Sequence, residues 1–175
     1  MKNKIESTII ITAENQEKFI ERCIKSCLNQ SVKNIEIIIV FTKLKSISIL
    51  KKKYLSKNIV FLNIAKKINK PTQDQLFKIK QGLLISKGKY IFLLDGDDTY
   101  KKSKVKEAIN SIKDRKILFL DNYENNKNNI KQINEVHGFK EANLYKTLIN
   151  AWPKGVCTSC IVLNRDLLNE FFKKI

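Results

Sequence analysis

Two spacings of apolar residues alternate along this chain. Runs 7–12, 35–41 and 59–64 are apolar on both faces and read as buried strands, since a strand wet on one side would carry a polar residue at every second position. Between them the apolar residues recur every three to four positions, which is the spacing of a helix face. Phe19, Ile20, Cys23, Ile24, Cys27 and Leu28 form one such stripe, with Asn15 as the expected N-cap and Gln16, Glu17 and Glu21 near the positive end of the helix. Residues 47–57 predict a second helix. Pro71 and Thr72 open a third over about 73–85, with Leu76, Ile79, Leu83 and Leu84 facing inward and Lys87-Gly88 as its stop. The run 90–94 is a fourth strand that breaks off at Asp95-Gly96-Asp97-Asp98. A helix over about 103–113, a fifth strand at 117–121, a polar loop or hairpin at 122–134, a strand-like run at 157–163 and a short helix over about 165–172 complete the pattern.

Strands alternating with helices predict an α/β fold: a Rossmann-like, doubly wound, mostly parallel sheet with helices on both faces. At 175 residues and 43% hydrophobic, the chain has the size and apolar mass of a single domain with a core. The apolar runs fall short of the roughly 20 residues of a membrane-spanning helix, and the start shows no apolar leader followed by small residues. A cytoplasmic protein is the expectation, peripheral at the inner membrane face at most.

The net charge of +17 would attract polyanions, including nucleic acid and anionic lipid. The lysines are spread along the chain without interleaved stacking aromatics, so no specific nucleic-acid role is expected. Cys23, Cys27, Cys157 and Cys160 invite a zinc reading. The first two belong to the apolar stripe of a helix, and no turn residues shape the second two into a knuckle, so buried reduced thiols are expected instead.

The acids at 95–98 are the chemically informative feature. Ligands of open parallel sheets bind outside the carboxyl ends of the strands. An apolar strand that delivers three carboxylates there concentrates negative charge that needs a cation or protons. Oxygen ligands of this kind select Mg2+ or Mn2+, ions that usually accompany a diphosphate. Capping of the next helix could occupy one aspartate but not three. A calcium loop counted from Asp95 would need Gly and Glu where Tyr100 and Lys106 stand. An aspartyl phosphoryl acceptor would lack its glycine cradle.

Three ordered blocks then resemble a known family. Residues 9–15 (Ile-Ile-Ile-Thr-Ala-Glu-Asn), the helix 19–30 with the strand 33–40, and 86–98 (Ser-Lys-Gly-Lys-Tyr-Ile-Phe-Leu-Leu-Asp-Gly-Asp-Asp) resemble the opening and the DxD strand of family 2 glycosyltransferases of the GT-A fold. Trp152-Pro153 and Thr158-Ser159-Cys160 resemble a segment of bacterial surface-glycan members. The resemblance implies a nucleotide-sugar donor, a UDP-sugar foremost, and a glycan or lipid-linked acceptor. It implies that Thr12 and Glu14 line the uridine pocket and that Asp95 contacts ribose or metal. Asp97 and Asp98 then hold Mn2+ or Mg2+ on the sugar diphosphate, with Asp95 and Asp97 as the DxD metal pair and Asp98 also on the donor. Lys78 and Lys80 are candidate phosphate contacts or members of a solvated face.

By the same resemblance, residues 1–121 form the donor-binding part of a single domain over 1–175, and 122–175 part of the acceptor side. The family's acidic pair after strand two is replaced here by Val40-Phe41-Thr42-Lys43, and its usual Pro and Tyr by Thr12 and Glu14. Members normally carry a catalytic acid beyond the position of Ile175. No general base is assigned: His137, Asp166 and Glu170 read as surface residues. The alternative expectation is a non-catalytic GT-A domain without base or acceptor site.

Overall fold

The computed structural model describes residues 5–55, 57–65, 68–112, 118–120, 123–124, 130–131, 135–137 and 157–174. Strands β1 (Ser7–Ala13), β2 (Ile35–Phe41), β3 (Ile59–Asn63) and β4 (Tyr90–Asp95) alternate with helices α1 (Ile20–Leu28), α2 (Ile47–Lys53) and α3 (Pro71–Ile85). Helix α4 (Lys104–Ile112) follows, then short strands β5 (Leu118–Leu120), β6 (Tyr123–Glu124), β7 (Ile130–Lys131) and β8 (Glu135–His137). A 3-10 turn at Thr158–Cys160 leads into β9 (Ile161–Asn164) and helix α5 (Arg165–Lys174). β6 and β7 pair antiparallel, as the hairpin reading of 122–134 expects. Trp152-Pro153 lies outside the described residues.

The main sheet runs β3-β2-β1-β4-β9-β5-β8. β1 pairs in parallel with β2 on one side and with β4 on the other, setting Thr12 opposite both Val40 and Asp95. Chain order reverses between β1 and β4, and that reversal opens a crevice at their carboxyl ends. All seven residues of β1 are buried because helices cover both faces. Ile9, Ile11, Phe92 and Leu94 pack with Cys23, Ile24, Val105 and Ala108 from α1 and α4. On the opposite face Ile10, Ile38, Ile91 and Leu93 pack with Ile79 and Leu83 of α3 and with Leu168 and Phe171 of α5. The sheet is thus doubly wound, as the two-sided apolar runs predict. Among the described residues no helix is long and apolar enough to cross a membrane.

Three boundaries differ from the sequence expectation, each for a local reason. α1 starts at Ile20, and Asn15 does not cap it. Asn15 takes a left-handed turn at φ 52 and donates its N–H to the Lys43 carbonyl at 2.8 Å, tying the loop after β1 to the loop after β2. α2 stops at Lys53, with three lysines in its last turn facing the negative helix end. The run 157–163 is a strand only from Ile161, because Cys157–Cys160 is closed by a turn from the Cys160 N–H to the Cys157 carbonyl, 2.9 Å.

β9 is antiparallel to β4, with Phe92 opposite Val162 and Tyr90 opposite Asn164. Its beginning therefore lies beside the end of β4, and the turn before it is carried to the same sheet edge as Asp95. β5 pairs with β9 and not with β4. The insertion of β9 between them is what brings a distant segment to the crevice.

Candidate active site

The end of β4 places Asp95 at the sheet edge, where Thr12 and Gln75 both donate to its Oδ1, at 3.0 and 2.6 Å. Thr12 reaches it through the β1–β4 register, and Gln75 from the first turns of α3. The Gly96 N–H donates to the Thr12 carbonyl at 2.9 Å, and a Cβ on Gly96 would run into Gln16 and the Ala13 side chain. The turn packs closely on the loop after β1, so a side chain there would have to displace Gln16 and press on Ala13. Asp98 N–H then closes onto the Asp95 carbonyl at 3.0 Å.

Asp98 is held from the C-terminal segment. Ser159 Oγ donates to Asp98 Oδ2 at 2.6 Å and accepts the Asp95 N–H at 3.0 Å, and Cys157 Sγ donates to the same Oδ2 at 3.5 Å. Asp95, Asp98 and Cys157 thereby bring one ligand atom each within 4.8 Å of one another, a grouping able to hold a metal ion. Each carboxylate has one oxygen engaged by protein donors. Among the described residues, none donates to Asp95 Oδ2 or Asp98 Oδ1.

The electrostatics match a cation seat. Burial first, and the nearby charges of Asp98 and Asp97, push the Asp95 carboxyl up to about 6, against the lowering donations of Thr12 and Gln75. A group so shifted is costly as an anion unless a cation accompanies it. The Cys157 thiol is drawn below its usual value, chiefly by a hydrogen bond with Cys160, with burial and the Asp98 charge opposing. Beneath the site, the Cys23 thiol lies 3.7 Å from the Asp95 carbonyl and is pushed well up by its contact with Cys27 and by burial. Cys23, Cys27 and Cys160 are buried free thiols, as expected, whereas Cys157 is only half-buried.

The other residues singled out by sequence fall into two places. Asp97 is exposed and lies outside the metal-competent group; Gln16 donates to its Oδ1 at 2.9 Å, and Arg22 to its carbonyl at 2.9 Å. Glu14 and Lys78 form an ion pair at 3.7 Å. Lys78, 3% exposed on α3, pairs more closely with Asp74 at 2.6 Å, and Asp74 also accepts the Ile68 N–H. Lys80 sits over the Phe172 ring on α5. His137 falls in β8 by its backbone. Gln75, Ser159 and Cys157 come into the site without having been singled out for it. Gln75 had no signal beyond its place on α3, whereas the Thr158-Ser159-Cys160 block was visible but its antiparallel return was not.

Comparisons with known proteins agree with this geometry. The chain has the fold of the N-terminal part of S. aureus TarS (residues 1–349), with a TM-score of 0.69 at 17% identity over 94% of this chain and 48% of that one. The same protein solved with UDP-GlcNAc gives 0.69 at 18% identity, over 94% and 47%. The mannosyltransferase PcManGT from Pyrobaculum calidifontis, solved with GDP-Man and Mn2+, gives 0.66 at 10% identity, over 97% and 47%. The chain spans about half the length of these structures. No curated protein matches it in sequence. The family model described as glycosyl transferase family 2 matches residues 8–175. With the GT-A fold seen in its sheet and neighbours, this chain belongs to glycosyl transferase family 2.

Proposed function

We propose that this chain binds a nucleoside-diphosphate sugar at the carboxyl ends of β1 and β4 and transfers the sugar to a surface-glycan or lipid-linked acceptor. The observation that carries this reading is the convergence of Asp95, Asp98 and Cys157 at the crevice of a family 2 fold. Two carboxylates, each with an oxygen that no described residue donates to, fit a hard divalent ion such as Mn2+ or Mg2+. Such an ion, when bound, neutralises the charge gathering on the departing diphosphate.

The protein's own residues do the positioning. Thr12 and Gln75 fix Asp95 by one oxygen and leave the other for the ion in this reading. Ser159 fixes Asp98 in the same way. Asp97, held by Gln16, stands beside them as a further carboxylate for the ion or the donor. Thr12 and Glu14 are the residues we place along the nucleoside, with Lys78 offsetting the charge of Glu14 from below. In this reading 1–121 is the donor side and 122–175 belongs to the acceptor side, apart from the 157–160 turn. UDP-sugars are the first donors to try, because neighbours of the same fold were solved with UDP and UDP-GlcNAc, and GDP-Man is the second.

Release of UDP from UDP-GlcNAc, or of GDP from GDP-Man, in the presence of Mn2+ tests the reading. Metal-dependent release that disappears in Asp98→Asn supports it. Nucleotide binding with no release and no transfer to any glycan acceptor points to a donor-binding domain without transfer activity.

A further inference from the structure

Cys157 is the feature that oxygen-based donor binding does not explain. Its sulfur lies within 4.8 Å of an oxygen on each of Asp95 and Asp98, and it is the half-buried member of four otherwise buried thiols. We propose that Cys157 is a third protein ligand of the cation, so that the site prefers thiophilic divalent ions such as Co2+ and Zn2+ over Mg2+. This rests on the reading that Asp95 and Asp98 hold a cation for the donor diphosphate.

The backbone fixes the sulfur in place. The register of β9 on β4 and the 3-10 turn Thr158–Cys160 set Cys157 beside Asp98, where its S–H points at Oδ2. Ser159, two positions on, already occupies that same oxygen at 2.6 Å, so the S–H contact at 3.5 Å is long and easily exchanged. On cation binding the Cys157 S–H bond breaks, its electron pair becomes the sulfur–metal bond, and the proton passes to solvent. The two carboxylate oxygens and one thiolate then make a mixed set. Oxygen ligands alone suit Mg2+, Ca2+ and Mn2+, whereas a thiolate shifts preference along the series toward Co2+ and Zn2+ and against Mg2+.

Cobalt reports the sulfur directly. The whole chain is titrated with Co2+ and followed by its visible ligand-field bands and by the near-ultraviolet sulfur-to-cobalt charge-transfer band. The expected result is that both appear together, and that Cys157→Ser removes the charge-transfer band and weakens Co2+ binding by about tenfold or more. Mg2+ affinity should change by less than about twofold, since Mg2+ gains little from sulfur. Cobalt binding without the charge-transfer band, or a band that survives in Cys157→Ser, overturns the sulfur ligand. In that outcome, loss of Co2+ in Asp98→Asn shows that the carboxylate reading still stands. No binding of Co2+, Mn2+ or Mg2+ at all sinks the carboxylate reading with it. Should Cys157→Ser fail to fold, alkylation of the native chain by iodoacetamide decides the matter. Zn2+ should slow modification of Cys157 about tenfold or more while Mg2+ leaves it unchanged, and equal rates with both ions overturn the proposal.

Discussion

Ser159, 61 positions beyond Asp98, donates its hydroxyl to Asp98 Oδ2 at 2.6 Å while accepting the Asp95 N–H at 3.0 Å. One hydroxyl thus ties the Asp98 carboxylate to the Asp95 backbone, and it does so from the antiparallel return of the chain. A ligand's hydrogen-bonded support sets its orientation and hence its hold on an ion.

Ser159→Ala should therefore cost about tenfold or more in Mn2+-dependent nucleotide affinity, by analogy with the loss of outer-shell partners elsewhere. Ser159→Thr, which keeps the hydroxyl, should recover most of it. Calorimetric titration of UDP with Mn2+ present reads both. Similar weakening in both variants would mean that crowding of the turn, and not the hydroxyl, sets the affinity.

The acid at the end of β4 makes the metal-free fold sensitive to pH. Asp95 titrates at about 6 in the fold against 3.8 as the ordinary value. A carboxyl raised on folding contributes stability that is complete below its unfolded value and is lost as pH rises through its folded value. Metal-free protein should lose about 3 kcal/mol of this contribution between pH 4 and pH 6 and none further above it, as a shift of about two units implies. Asp95→Asn keeps an oxygen for Thr12 and Gln75 and removes the charge. It should be the more stable protein at pH 8 without metal, and should lose metal-dependent stabilisation. Urea unfolding across pH with and without Mn2+ measures this; a wild type as stable as Asp95→Asn at pH 8 would refute it.

Lys78 is nearly inaccessible and bridges Asp74 and Glu14. Breaking a buried pair by removing one partner typically costs about 3–5 kcal/mol, because the remaining charge stays buried. Lys78→Ala should lower stability on that scale, and Lys78→Ala with Asp74→Ala should recover part of it. A loss under about 1 kcal/mol would mean that water already screens these groups.

Gly88 and Gly82 separate two kinds of close approach. A Cβ on Gly88 would stand 2.5 Å from the Ser7 carbonyl carbon and the Thr8 nitrogen, both backbone of β1. On Gly82 it would meet the Ile10 side chain at 2.8 Å. Backbone in a central strand cannot yield as a side chain can, so Gly88→Ala should cost well above the roughly 1–3 kcal/mol typical of overpacking, and Gly82→Ala should fall within that range. Denaturation midpoints rank the two, and the reverse order would contradict this packing.

Much of this architecture was legible in the chain because two-sided apolar runs such as 7–12 and 90–94 fit only a sheet covered on both faces. The acids at 95–98 stood out as a candidate site for the same reason, since an apolar strand ended on them. What could not be read was long-range and directional. Nothing local distinguishes an antiparallel β9 inserted beside β4 from one more parallel strand, yet that direction is what carries Ser159 and Cys157 to Asp98. Asn15 read as a helix cap because caps and left-handed turns favour the same residue. The pairing of Lys78 with Asp74 follows the i, i+4 spacing on α3, but its burial depends on how closely Gly82 lets that helix approach the sheet.

Thermal unfolding with UDP or GDP, each with and without Mn2+, tests the central claim most directly. Ligand that binds only the folded chain raises its stability by about 2.7 kcal/mol at a hundred times its Kd. The account predicts a rise in melting temperature that needs nucleotide and Mn2+ together and vanishes in Asp98→Asn. A melting temperature that no nucleotide moves in the presence of Mn2+, or an equal rise in Asp98→Asn, would contradict it.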